Sequence, residues 1–195
     1  MKIPAFLVSY RRRRQLIWGA FGLLLVASIL DHAGVFGFQG SDRDRYGLKQ
    51  TTVVRASDAN SLEVDLPDGS RSETKVRLCG IECPAGDAYF GREAAEFVRD
   101  HVVGKHVRMA LDPNHRVRDR EGRLLAYLYF TDSGEMLNEV LVDRGLAYAD
   151  DRTEHVMKFT FSEHEKRAMK TKVGLWAGVT PEQMPQWRNR QDKAK

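Results

Sequence analysis

Cysteine is scarce. Two thiols in 195 residues exclude a scaffold built on disulfides and a zinc site of four thiolates. Six histidines are scattered along the chain, and no pair stands at metal-ligand spacing with a carboxylate partner. No internal repeat or low-complexity tract is present. The composition, 42% hydrophobic and 30% charged, excludes collagen-like, mucin-like and wholly disordered chains, and it suits one globular domain with a segment to spare. Most of the chain also lacks an excess of either charge. The net charge is +4, from 31 basic and 27 acidic residues. Residues 1–40 hold five of the basic groups (Lys2, Arg11, Arg12, Arg13, Arg14) and one acid (Asp31), which leaves 26 of each sign in the remainder. The isoelectric point near 9.1 therefore reflects the N-terminal segment. Any affinity for polyanions must come from a local cluster.

One long hydrophobic run is present. It follows the four arginines and spans residues 16–30, with a second apolar stretch at 33–38 beyond Asp31 and His32. Fifteen residues of helix reach about 22 Å, short of the roughly 30 Å of a bilayer core, and the second stretch makes up the length. Residues 1–14 are then a basic cytoplasmic N-terminus and 15–38 a single-span signal anchor, with Trp18 at the interface. A cleaved signal peptide and a buried soluble helix are the alternatives. Arginines that stay cytoplasmic place the rest of the chain outside, at the inner membrane facing the periplasm of a two-membrane bacterium, or secreted if the segment is cleaved. Residues 39–47 read as a linker, 48–178 as the globular domain and 179–195 as a polar, basic, frayed tail.

Within the domain, residues 48–56, 61–66, 74–81, 107–111 and 123–130 read as strands. Leu62, Val64 and Leu66 alternate with Glu63 and Asp65, the period of a half-buried strand, whereas 123–130 is apolar enough to be buried on both faces. Residues 91–103, 136–144 and 154–173 have helical spacing, each followed by a glycine. Hairpin-ordered strands with one helix between the third and fourth predict a small closed barrel of the OB type, an α+β chain of five strands and three helices. Tyr127 and Tyr129 read as core and barrel rim. Cys79 and Cys83 are four apart, too far for the usual bridge in a continuing strand, and read as part-buried thiols, with a disulfide as the alternative.

Several blocks resemble the thermonuclease, or staphylococcal-nuclease-like, family. Asp58-Ala59-Asn60-Ser61 lies where the family has D-G-D-T. Residues 77–84 (RLCGIECP) are similar to R-L-x-G-I-D-x-P, residues 90–95 (FGREAA) to Y-G-x-E-A, and residues 119–127 (DREGRLLAY) to D-x-Y-G-R-x-L-A-Y. Asn138-Glu139, Gly145-Leu146-Ala147 and Gly174-Leu175-Trp176 follow in order. The resemblance implies calcium-assisted phosphodiester cleavage of DNA or RNA, with two arginines on the phosphate, carboxylates on a hard cation and a glutamate activating water. Arg77 and Arg123 match the two arginines. Glu82 stands at one metal-binding aspartate, Asn60 at the other, and Cys83 where a backbone carbonyl is the ligand. Ala85 replaces the general-base glutamate, with Asp87 as a candidate substitute. Tyr148 is kept, but acidic or polar residues stand where the family has phosphate-facing tyrosines.

The interleaved Arg116, Arg118 and Arg120 read either as a substrate-contact patch or as a solvated hairpin loop with Asp119 and Glu121. The reading carried forward is a membrane-anchored nuclease. Its alternative is a catalytically degenerate OB-fold module that binds nucleic acid or a protein partner.

Overall fold

The computed structural model describes residues 41–188 together with Trp18 and Gly22. Apart from those two residues, the apolar segment at 15–38 lies outside the described residues, as does the end of the tail from 189 onward. Among the described residues no helix is long and apolar enough to cross a membrane. Contacts separate residues 1–41 from residues 42–195, and the second unit carries the fold.

Among the residues described from 41 onward, seven strands and four helices are formed, with a 3-10 turn near the end. The strands are β1 (Gln50–Ala56), β2 (Ser61–Val64), β3 (Thr74–Leu78), β4 (Ile81–Glu82), β5 (His106–Leu111), β6 (Leu124–Phe130) and β7 (Tyr148–Ala149). The helices are α1 (Asp42–Tyr46), α2 (Gly91–His101), α3 (Leu137–Asp143) and α4 (Lys158–Thr171), and the 3-10 turn is Gly174–Ala177. The apolar alternation of the strands closes them into a barrel in the order β1-β2-β3-β6-β5. β3 and β6 run parallel, pairing Arg77 with Leu125, and the other contacts are antiparallel. Val53, Leu62, Val76, Leu78, Met109 and Leu128 fill the interior with almost no exposure. β6 is buried from Leu124 to Leu128, as its unbroken apolar run predicts. Asn138 on α3 accepts the Leu128 N–H (3.2 Å) and donates to the Cys79 carbonyl (2.9 Å), tying helix to barrel.

Several expectations change, while the reading of Cys79 and Cys83 as thiols holds. β2 is buried at every position, because Arg55 and Glu73 fold over the Glu63 carboxylate and take it out of water. The linker residues 42–46 form α1. It is clasped by the buried Tyr46, whose hydroxyl donates to Asp68 (3.0 Å), and by Arg43, which donates to the carbonyls of Asp112 and His115 (both 2.8 Å). The tail packs as far as Arg188. Val179, Met184 and Trp187 pack on Tyr148, Leu175 and Trp176, and Arg188 pairs with the buried Glu165 (2.8 Å). Both cysteines are free and buried.

The strand expected to run to residue 81 stops at Leu78 and turns at Cys79-Gly80. Gly80 has φ +74°, and a Cβ there would lie 2.5 Å from the His155 ring. The left-handed turn and the close approach both require glycine. The chain then leaves the barrel as β4, which pairs with β7 (Ile81 with Ala149, Glu82 with Tyr148). Two-residue strands carry no periodicity, so this ladder is invisible in the sequence. Gly80→Ala is expected to cost about 2–4 kcal/mol, read as a lower midpoint in urea with an unchanged slope.

Candidate functional site

The β4–β7 ladder brings the turn after β7 beside the end of β3 and makes a cleft of about 330 Å³. Arg77, Arg116, Arg152, Asp119, Asp150 and His115 are among the residues that line it. Arg77 on β3 donates to Glu82 Oε2 on β4 (2.7 Å). Ser61, the strand partner of Arg77 on β2, accepts from Arg123 Nη1 (3.0 Å). Arg123 also donates through Nε to Asp119 Oδ2 (2.7 Å), and the Asp119 side chain lines the Arg77 cleft. The two arginines singled out by their motifs are therefore held on one side of the barrel, Arg77 on β3 in this cleft and Arg123 just before β6 in a separate cavity of about 220 Å³ that Asp58, Ser61, Lys75 and Glu121 also line. Burial alone would raise the Asp119 carboxyl, but its hydrogen bonds from Arg123 outweigh this and bring it below the ordinary value.

The loop arginines separate. Arg116 is exposed and lines the cleft. Arg118 is turned the other way: it binds Asp42 (2.7 Å) and Asp68 (2.8 Å), donates to the Gly122 carbonyl (2.7 Å) and lies over the Tyr46 ring. It fastens α1 to the barrel and is not part of the cleft. Arg120 is exposed, outside the residues that line the cleft. Residues two apart would share a face in an extended segment, but this loop bends at Pro113–His115 and turns at Arg120–Glu121, so its arginines diverge.

The expected cation ligands fit a calcium ion poorly. Such an ion takes six to eight oxygens and is favoured by several carboxylates. Here the donor set is one carboxylate, one neutral amide and one carbonyl. Glu82 Oε2 already receives both Arg77 and Arg152 (3.1 Å). Asn60 is buried, and its Oδ1 accepts the Cys83 N–H (3.1 Å), a strut between the β1–β2 turn and the loop after β4. Among the described residues no three His, Cys, Asp or Glu side chains are grouped to hold a metal. Burial raises the Cys79 thiol to about 12 and pushes Cys83 up further, so neither is a thiolate. Ala85 is exposed, and its carbonyl lies under Gly91, where a Cβ would overlap it. Asp87 is exposed two residues on and is not among the residues lining the cleft. The structure does not bring it in to replace the missing base.

Three cleft residues escape sequence reasoning: Asp150, Arg152 and His115. The one signal for Asp150 and Arg152 is the Asp-Asp-Arg at 150–152, and for His115 its place beside Arg116. Arg152 donates to Asp150 through Nε (2.7 Å) and Nη2 (2.6 Å), and its guanidinium lies 4.4 Å from the Trp187 ring centre. Burial raises the Asp150 carboxyl, but the Arg152 hydrogen bonds and charge, with Arg77, bring it below the ordinary value.

Behind the turn, His155 Nε2 lies 3.2 Å from the Asp150 carbonyl and Nδ1 lies 3.3 Å from the Tyr127 hydroxyl. A carbonyl only accepts, so Nε2 carries the proton. Burial lowers the His155 pKa, so the ring is neutral at pH 7. A wider concavity of about 470 Å³ elsewhere sets Asp100, Asp132, Glu135 and Asp143 against Lys105 and Arg144, so acids outnumber bases in its lining.

The model of the staphylococcal nuclease homologue family matches residues 75–178. Arg77, Glu82, Ala85 and Arg123 fall inside that span and Asn60 outside it. A protein of Haemophilus influenzae described as an uncharacterized endonuclease is 33% identical over 141 residues, 72% of this chain and 73% of its own. The thermonuclease of Staphylococcus hyicus is 30% identical over 132 residues, 64% and 74% of the two chains. The micrococcal nuclease of Shigella flexneri is 26% identical over 143 residues, 70% and 78%. The barrel, the helices and these matches make this chain a member of the staphylococcal nuclease family.

Proposed function

We propose that the domain grips the phosphodiester backbone of DNA or RNA along this cleft and the cavity beside it, with Arg77 and Arg116 as phosphate contacts in the cleft and Arg123 as one in the neighbouring cavity. The observation that carries the reading is the seating of Arg77 on β3 and of Arg123 at the residue that leads into the paired strand β6, each oriented by a carboxylate at 2.7 Å. Guanidinium forks held this way suit phosphate oxygens. The cleft brings Arg77, Arg116 and Arg152 together beside Asp119 and Asp150, the local cluster that composition requires.

Hydrolysis is the second reading. It is favoured by the retention of both arginines and by the endonuclease and thermonuclease names of the relatives. It needs a water-activating group that Ala85 does not supply, and calcium dependence would need ligands beyond Glu82. The apolar segment at 15–38 would anchor the domain at the membrane, facing outward.

Labelled single-stranded DNA and RNA, incubated with the full chain in calcium and in chelator, test both readings. Retardation without shortening supports binding, and metal-dependent shortening supports hydrolysis. Arg116→Ala is expected to weaken binding several-fold and to reduce the slope of log affinity against log salt by about 1. Arg118→Ala is expected to leave affinity unchanged while lowering stability by about 2 kcal/mol, because two carboxylates lose their shared partner. Equal losses of affinity in both variants would refute the division of the loop.

A further inference from the structure

Arg152 contacts Glu82, one of the residues to which the resemblance assigns a metal ion. The β4–β7 pairing sets Glu82 opposite Tyr148, so the residues just past β7 fall beside the Glu82 carboxylate. One oxygen, Oε2, accepts from Arg77 Nη2 at 2.7 Å and from Arg152 Nη2 at 3.1 Å. The same Arg152 nitrogen lies 2.6 Å from Asp150 Oδ2. It therefore bridges two carboxylates on two different segments, as a divalent cation would. Its side chain is held from the other side by Trp187, at 4.4 Å, and Trp187 is placed by its edge contact with Tyr148. The guanidinium is pre-oriented by these partners though 42% of the side chain is exposed, and its hydrogen bonds to Asp150 raise its pKa further.

We infer that the Arg152 guanidinium replaces a divalent cation at Glu82, so that the cleft holds phosphate without calcium. The inference rests on the reading of the cleft as a phosphate site, and its own readout needs no nucleic acid. Two positive charges on one carboxylate oxygen leave little field for a third, and an incoming cation would have to expel a bidentate arginine. Removing Arg152 would leave Glu82 and Asp150 as neighbouring carboxylates with one cation fewer, the condition under which a hard cation binds.

The test uses the full chain, wild type and with Arg152→Ala or Arg152→Gln. The glutamine keeps bulk and an N–H donor in case the alanine variant unfolds. Calcium binding is read by calorimetry and by the thermal midpoint in millimolar calcium against chelator. Oligonucleotide affinity is read in both conditions. The wild type is expected to show no calcium heat, the same midpoint and the same affinity in both. The Arg152 variants are expected to acquire a calcium-dependent rise in midpoint of a few degrees, on the order of 3 °C, that is abolished by adding Glu82→Gln. Calcium heat in the wild type that disappears in Glu82→Gln would overturn the inference. So would folded Arg152 variants that stay indifferent to calcium. Oligonucleotide binding that is absent everywhere would remove the phosphate reading, and the calcium results would still decide whether Arg152 takes the place of the ion.

Discussion

Asp112→Ala is expected to destabilise the domain by about 3–5 kcal/mol. Asp112 follows β5 directly, is 2% exposed and receives four donors. Oδ1 accepts the N–H groups of Asn114 (2.7 Å) and His115 (2.9 Å). Oδ2 accepts the Tyr127 hydroxyl (2.5 Å) and the Val156 N–H (2.8 Å). Alanine would leave all four with no acceptor in a site that excludes water. The loss would reach the cleft as well, because Val156 and His155 hold the turn that carries Arg152, and His115 lines the cleft. Urea unfolding measures the effect, and a loss below about 1 kcal/mol would mean that water takes over these bonds.

The same carboxylate sets a pH dependence. Burial alone would raise the Asp112 pKa, but the Tyr127 and backbone hydrogen bonds outweigh it and leave the folded value below the ordinary one. A depressed folded pKa means that the unfolded chain binds the proton more readily. The contribution is therefore complete above the unfolded pKa of about 4 and is lost as pH falls through the folded value. Asp112→Asn is expected to remove this part of the acid sensitivity. Wild type and variant should converge in stability as the pH drops.

Arg77→Ala is expected to weaken oligonucleotide binding by about ten- to a hundredfold, the value of a charge-assisted grip on one phosphate. If the domain also cleaves, the rate should fall by about a hundred- to a thousandfold. The variant is a clean one. Glu82 keeps Arg152 as its partner, and Arg77 reaches no other carboxylate by a direct hydrogen bond among those described, so the fold should be spared. Arg123→Ala is less clean, because the Asp119 carboxylate, with 9% of its side chain exposed, would lose its charged partner. Anisotropy titrations at several salt concentrations, with circular dichroism as a check on folding, measure the effect. Unchanged affinity with native spectra would remove Arg77 from the binding site.

Much of the barrel was legible in the chain. β1, β5 and β6 begin and end within two residues of their apolar patterns, because a strand with a buried face repeats every second residue and writes that period into the sequence. Arg77 and Arg123 were legible because each sits inside a block of fixed spacing. Sequence patterns also displayed the loss at Ala85 and the weakened ligand at Asn60, since a missing functional group is visible as a residue type.

Other features had no local pattern to reveal them. Glu63 is polar by sequence and buried by Arg55, eight residues and a turn away in the fold. Arg116 and Arg118 look alike in the sequence, and the barrel turns one into the cleft and the other onto Asp42 and Asp68. Arg152 meets Glu82 across 70 residues, through a ladder of two residues on each side. Residue types and their periods, set along the chain, determined the family, the barrel and which groups are missing. Only the tertiary structure decided which charges meet, because ion pairs form between side chains that folding brings within a few ångströms, and that proximity has no period along the sequence.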